Sequence, residues 1–305
     1  MRHLITLADL RPAEVERVFA IATDLKSKYQ QGKREPLLPG RTLALLFEKP
    51  SLRTRTSFEC AMTHLGGSCM FLGSDCGFGA RESIADFTRV LSQYVDVIVA
   101  RTFQHQTQLE LAQHSSCSVI NGLSDQAHPC QALADVFTIQ ERVGRLRGHS
   151  LTFVGDGNNV AKSLAWACGL TGMKLVLAAP EQYQFDEDFL KDLREKLPDA
   201  EVEQIADPAE AVRDAVAVYT DVWASMGQES ETERRREEFA PYQVNAELMA
   251  AAPEGAYFMH CLPAHRGEEV TDEVIDASNS IVVEQAANRM HAQKGLLAWM
   301  LTSQS

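Results

Sequence analysis

Short apolar runs rich in branched residues recur along the chain, separated by longer stretches with helical period. Runs at Thr42–Phe47, Asp96–Ala100, Ser118–Ile120, Ser150–Val154, Lys174–Ala178, Glu201–Ile205, Val216–Thr220, Tyr257–Cys261 and Ser280–Val283 predict strands. Between them Ser57–Leu65, with Phe58, Met62 and Leu65 on one face, and Gln131–Arg142 predict helices. This alternation predicts an α/β chain of two domains, each with a largely parallel sheet flanked by helices. At 305 residues the chain is also too long for one ordinary core. The glycine-bearing, basic stretch "VGRLRGHS" (Val143–Ser150) marks the seam, giving a first domain over 1–145 and a second over 146–284. A last helix, about 285–305, is expected to pack back on the first domain.

Charge narrows the range of partners. Lys and Arg number 29 against 42 Asp and Glu, a net −13 that repels a nucleic-acid backbone or an anionic membrane. An anion bound here must be held by a local cluster of cations set against that field. Seven cysteines without a C-x-x-C pair suit a reducing cytoplasm rather than a zinc site or a disulfide framework. The N-terminus lacks the pattern of a signal peptide, and no apolar run approaches a membrane span. A soluble, cytoplasmic protein is expected.

In open α/β sheets ligands bind beyond the carboxyl ends of strands, so the residues just after each strand are candidates for a site. After the first comes "PSLRTR" (Pro50–Arg55). Ser51 suits an N-cap, and the helix start with Arg53 and Thr54 in its first turn can cradle a phosphate; a capped surface helix reads equally well. Arg101 ends the second strand. In "HPCQ" (His128–Gln131) Pro129 fits the first position of a helix, leaving His128 as a donor to a carbonyl oxygen or as a cap. "GDGNN" (Gly155–Asn159) resembles a dinucleotide fingerprint, but Val160 stands at the third small position, which favours a plain tight turn. In "HCLP" (His260–Pro263), neighbours on a strand face opposite ways, so His260 is badly placed to deprotonate Cys261. The thiol reads as a polar contact or as an inert buried group.

Taken in order and at these separations, "SLRTR", Arg101, "HPCQ" and "HCLP" resemble the aspartate/ornithine carbamoyltransferases. "GDGNN", "DVWASMGQE", "HCLPAHRGEEV" and "NRMHAQK" are similar to the ornithine branch of that family. The resemblance implies carbamoyl phosphate on the first domain, its phosphate held by Ser51, Leu52, Arg53, Thr54 and Arg101. Its carbonyl oxygen would be polarised by Thr54, Arg101 and His128, and its amide held by Gln131. Cys261, the Leu262 carbonyl and Arg289 complete this set and border the reacting δ-amine. The amino-acid end of ornithine would meet Asn159, Asp221, Ser225 and Met226. Arg101, His128 and Cys261 are the residues implied in catalysis, with Arg55 in support. The same resemblance implies no metal, no cofactor, and assembly as a homotrimer or a multiple of trimers in arginine biosynthesis, with no nucleic-acid or membrane partner.

Three positions depart from the family pattern. Leu52 replaces a usual Thr, Gly77 in "SDCGFGARES" replaces a Gln or His offered to a neighbouring subunit, and Ala287 replaces a Glu. Weaker carbamoyl phosphate binding than in relatives bearing all three is expected. An intact "SMG" favours free ornithine over acetylated, succinylated or decarboxylated acceptors. A nicotinamide-dependent dehydrogenase would leave "SLRTR" and "HPCQ" without a task, and a non-catalytic scaffold would leave the complete site sets unexplained.

Overall fold

The computed structural model describes residues 2–79, 81–224 and 231–302. The chain forms two compact units, one of Met1–Phe137 with Ala287–Ser305 and one of Thr138–Ala286.

In the first unit, α1 (Pro12–Gln30) precedes β1 (Thr42–Phe47), α2 (Leu52–His64), β2 (Ser68–Leu72), α3 (Ile84–Leu91), β3 (Val97–Arg101), α4 (His105–His114) and β4 (Ser118–Leu123), and α5 (Pro129–Val143) begins in this unit and ends in the second. All strand pairs are parallel, in the order β2-β1-β3-β4. Leu43–Phe47 and Val97–Ala100 are buried without interruption, as strands covered on both faces require. The second unit holds β5 (Ser150–Val154), α6 (Asn159–Thr171), β6 (Lys174–Ala178), α7 (Glu187–Lys196), β7 (Glu201–Ile205), α8 (Pro208–Ala211), β8 (Ala215–Thr220), α9 (Thr232–Phe239), α10 (Ala246–Ala251), β9 (Tyr257–His260) and α11 (Asp272–Ile275). Its sheet is also parallel, in the order β7-β6-β5-β8-β9. The final helix, α12 (Val282–Thr302), begins in the second unit and ends in the first. The α/β class with two parallel sheets is as the sequence predicts.

Two strand assignments differ. Ser280–Val283 is not a strand: Ser280 makes a single bridge to Phe258, and the branched residues after it open α12. A run of three β-branched residues reads alike in a buried strand and in a buried helix start. The strand β2 has no counterpart in the sequence reading, because it is an edge strand without β-branched residues, with Met70 and Phe71 39% and 38% exposed.

Strand order fixes where ligands can sit. In the first sheet β1 has β2 on one side and β3 on the other; in the second, β5 lies between β6 and β8. Chain connections diverge at these two places, which leaves a crevice beyond the carboxyl ends of the flanking strands. "SLRTR" follows β1 and Arg101 ends β3, with Phe47 and Arg101 in register. "GDGNN" follows β5 and Asp221 follows β8, with Val154 and Thr220 in register.

In the first unit α12 packs on α1 so closely that a Cβ at Gly295 would lie 2.5 Å from the Val18 carbonyl oxygen and 2.9 Å from Ala22 Cβ. A Gly-to-Ala change inside a helix ordinarily gains about 1 kcal/mol. Here the obstacle is backbone, which cannot step aside, and overpacking of about 1–3 kcal/mol outweighs the gain. Gly295→Ala is therefore expected to lower the urea midpoint, and an unchanged or raised midpoint would contradict this packing.

Candidate active site

The face of the first unit is built around the start of α2. Ser51, extended at φ −157° and ψ 116°, caps the helix, its Oγ accepting from the Thr54 N–H at 3.2 Å. The N–H groups of Leu52 and Arg53 in the open first turn are left to meet an anion at the positive end of the helix. The Leu52 side chain is 74% exposed. Thr54 is buried, and its Oγ1 accepts from Arg289 Nη2 at 3.2 Å. Arg289 Nη1 donates to Gln131 Oε1, and Gln131 Nε2 donates to Asp135 Oδ1 at 2.8 Å. Thr54, Gln131 and Arg289, far apart in sequence, thus form one buried chain.

Electrostatics around this chain are unusual. Burial, followed by the charges of Arg289 and Arg53, lowers the Arg101 guanidinium to about 10. Its Nε is buried without a partner, and among the described residues neither Arg53 nor Arg101 forms an ion pair. His128 is pushed well below the usual imidazole range by burial and then by Arg289, Arg101 and Lys49, so it is neutral at physiological pH. Burial and Arg101 lower the Lys49 ammonium as well. Converging cations beside a neutral imidazole make a field that a small anion relieves. Lys49 was not among the residues singled out from sequence, although it lies two positions before Ser51; its place just after a strand end was the signal, and its burial is visible only in the structure.

Arg55 belongs to a different contact. Its Nε donates to Glu59 at 2.9 Å and its guanidinium lies 3.8 Å from the Phe71 ring centroid, so it supports α2 against the edge strand. Gly77 sits at φ +76°, where an added Cβ would lie 2.4 Å from Arg81 Cδ. Local backbone conformation alone accounts for glycine there.

The face of the second unit centres on Asp221. Its Oδ1 accepts from the Val222 N–H at 2.8 Å and from the Cys261 thiol at 3.0 Å, and its Oδ2 lies 3.5 Å from Asn158 Nδ2. The thiol is therefore held as a donor beside a carboxylate. Asn158 also caps α6, accepting from the N–H groups of Val160 at 2.9 Å and Ala161 at 3.1 Å. Asn159 is the first residue of that helix. A Cβ at Gly157 would meet the Tyr183 carbonyl oxygen at 2.8 Å, so the second glycine serves a close backbone approach. These contacts favour the tight-turn reading of "GDGNN", since the donors a pyrophosphate would use are already taken by Asn158. Arg235, buried on α9, was missed within a charged run: its Nη1 donates to Asp156 at 2.6 Å and to the Trp223 carbonyl at 3.1 Å. Ser225 and Met226 lie outside the described residues.

Asp221, His260 and Cys261 bring one potential ligand atom each within 4.8 Å of one another. The imidazole is committed elsewhere: Nε2 bonds Glu269 Oε1 at 3.0 Å and Nδ1 accepts from the Leu262 N–H at 2.8 Å. It has no lone pair left for a metal.

Comparison with known proteins covers both units. Residues 2–141 match the family model described as the carbamoyl-P binding domain of aspartate/ornithine carbamoyltransferase, and residues 147–300 match its Asp/Orn binding domain. The ornithine carbamoyltransferase of Pyrococcus abyssi is 50% identical over 303 residues, 98% of this chain and 96% of that protein. The ornithine carbamoyltransferase of Pyrococcus furiosus designated anabolic is likewise 50% identical over 303 residues, with the same coverage of 98% and 96%. A solved structure of ornithine carbamoyltransferase from Pyrococcus furiosus superposes with a TM-score of 0.96 at 49% identity, covering 100% of this chain and 98% of that one.

The exposed Leu52 side chain, unlike its backbone N–H, supplies no donor at the mouth of the first-unit face. Leu52→Thr is expected to lower the Kd for inorganic phosphate about fivefold, the worth of one net hydrogen bond of about 1 kcal/mol. Calorimetric titration giving equal or weaker binding would remove position 52 from the anion site.

Proposed function

The chain belongs to the aspartate/ornithine carbamoyltransferase family, and from that we infer its reaction: the carbamoyl group of carbamoyl phosphate passes to the δ-amine of L-ornithine, giving L-citrulline and phosphate. It is a carbamoyl-group transferase, and the designation of one relative as anabolic supports a place in arginine biosynthesis.

The chemistry asks for a neutral amine to attack the carbamoyl carbon while negative charge grows on the carbonyl oxygen and then leaves with phosphate. Donors fixed in advance at that oxygen contribute most to catalysis. We assign this role to Thr54, Arg101 and His128, with Arg53 and Arg101 stabilising the departing phosphate and Gln131 holding the amide. The buried neutral state of His128 supports its part, because a neutral imidazole donates a hydrogen bond without adding to the local positive charge. Asp221 and Asn159, with Ser225 and Met226, are assigned to the amino-acid end of ornithine; Cys261, Leu262 and Arg289 are assigned to the reacting end. A thiol that donates to Asp221 acts in this scheme as a polar contact for the amine rather than as a nucleophile. The observation that carries the reading is the buried Arg101 guanidinium, beside Arg53 and Arg289 and without an acidic partner among the described residues.

We also propose that the protein works in the cytoplasm as a homotrimer or a multiple of trimers. Cysteine usage without a C-x-x-C pair and the edge strand β2, with Met70 and Phe71 partly exposed, support this. Among the described residues no helix is long and apolar enough to cross a membrane. Sedimentation equilibrium is expected to give a mass that is a multiple of three chains, and a monomer or dimer would overturn the assembly.

The direct test of the reaction is citrulline formation from carbamoyl phosphate with ornithine, acetylornithine and putrescine compared as acceptors. Ornithine is expected to be preferred, and the rate to rise between about pH 6 and 9 as the attacking amine loses its proton. No product with ornithine would sink the assignment, and a flat pH profile of the chemical step would sink the neutral-amine mechanism.

A further inference from the structure

The turn after β9 is held by a pair of buried side chains to which neither the resemblance nor the reaction assigns a task. Leu262 sits at φ +59°, in the left-handed region that a residue of its size rarely enters. Such strain persists only where the surroundings over-determine it, as they do here. The Leu262 N–H can only donate, and it donates to His260 Nδ1 at 2.8 Å, so that ring nitrogen is the acceptor and the proton sits on Nε2. Nε2 then donates to Glu269 Oε1 at 3.0 Å, and the same oxygen accepts from the His265 N–H at 2.6 Å. The His260 backbone N–H is fixed in turn by Gln285 Oε1 at 2.9 Å. His260 and Glu269 are 1% and 0% exposed. Glu269 Oε2 is buried without a partner among the described residues, an unfavourable placement that simple packing would not retain.

We propose that His260 and Glu269 are positioning residues: Glu269 locks the tautomer of His260, and His260 holds Leu262 in its left-handed conformation. Cys261 and the Leu262 carbonyl are thereby aimed at the reacting amine. The inference rests on the role assigned above to Cys261 and Leu262. No proton moves through the pair, because the Nδ1 lone pair is occupied by a backbone N–H. Glu269 thus acts on the turn only through His260 and the His265 N–H.

Steady-state kinetics on His260→Gln, His260→Asn and Glu269→Gln, beside the unaltered protein, test this. Asn places an acceptor near the Nδ1 position; Gln places a donor near Nε2 and removes the acceptor. Losing the acceptor in H260Q is expected to cut kcat/KM for ornithine about a hundredfold while KM for carbamoyl phosphate moves less than about twofold. H260N is expected to recover about tenfold of that loss. Glu269→Gln keeps an acceptor for both donors and is expected to stay within about threefold of the unaltered protein, with an unshifted pH profile. Three results would each overturn the proposal: H260Q equal to the unaltered protein, both substrates affected alike in every variant, or a collapse of E269Q with a changed pH profile, which would indicate a proton relay. Failure of the unaltered protein to form citrulline counts instead against the parent reading, so the two failures are distinct.

Discussion

Positive charges held together inside a protein need an opposite charge to meet them, and the first unit is arranged around that need. Two unit charges 4 Å apart repel by about 4 kcal/mol at the effective dielectric of a partly buried site. Burial first, and then the charges of Arg289 and Arg53, bring Arg101 down to about 10. A net charge of −13 over the whole chain makes this local concentration the more conspicuous. Neutral side chains carry the fixed geometry: Ser51 caps, Thr54 and Gln131 accept from Arg289, and His128 stays uncharged among cations. Positive potential is kept for the ligand, and the scaffold holding it adds little charge of its own.

The second unit solves the reverse problem. A single carboxylate, Asp221, is steadied by a backbone N–H, a thiol and an asparagine, all neutral donors that leave its negative charge available. Its surroundings are set by backbone constraints: the close approach at Gly157, the cap by Asn158 and the left-handed Leu262. A face with long cationic side chains and an acid-centred face with rigid turns suit in kind the two substrates inferred for this chain. Carbamoyl phosphate is small and charged at one end, whereas ornithine must be recognised at both ends of a flexible chain.

Much of this was legible in the sequence, for identifiable reasons. Buried parallel strands such as Val97–Arg101 announce themselves as apolar runs, and reading the residue after each strand end reaches Ser51, Arg53, Arg101, Asn159 and Asp221 directly. The features that escaped depend on tertiary neighbours. The edge strand β2 is too exposed to show a strand pattern, and the branched start of α12 looks like one. Arg289 carries no local mark of belonging with Thr54 and Gln131, from which it is separated by 235 and 158 residues. Family resemblance supplied it. Lys49 and Arg235 escaped because charged residues in polar stretches read as solvated until their burial is known.

That long-range chain of hydrogen bonds also bears on how the protein is made. Synthesis delivers the N-terminal part first, and domains tend to fold as units while the chain emerges. The first unit cannot follow that order, because α12 supplies its last helix and its Arg289. Its sheet can form early, yet Thr54 and Gln131 lack their partner until nearly the whole chain has left the ribosome. The second unit, contained between the two segments of the first, can fold within its own stretch of sequence. A premature stop before α12 therefore removes more than a tail: it leaves the earliest-made half of the protein as the half that cannot be finished.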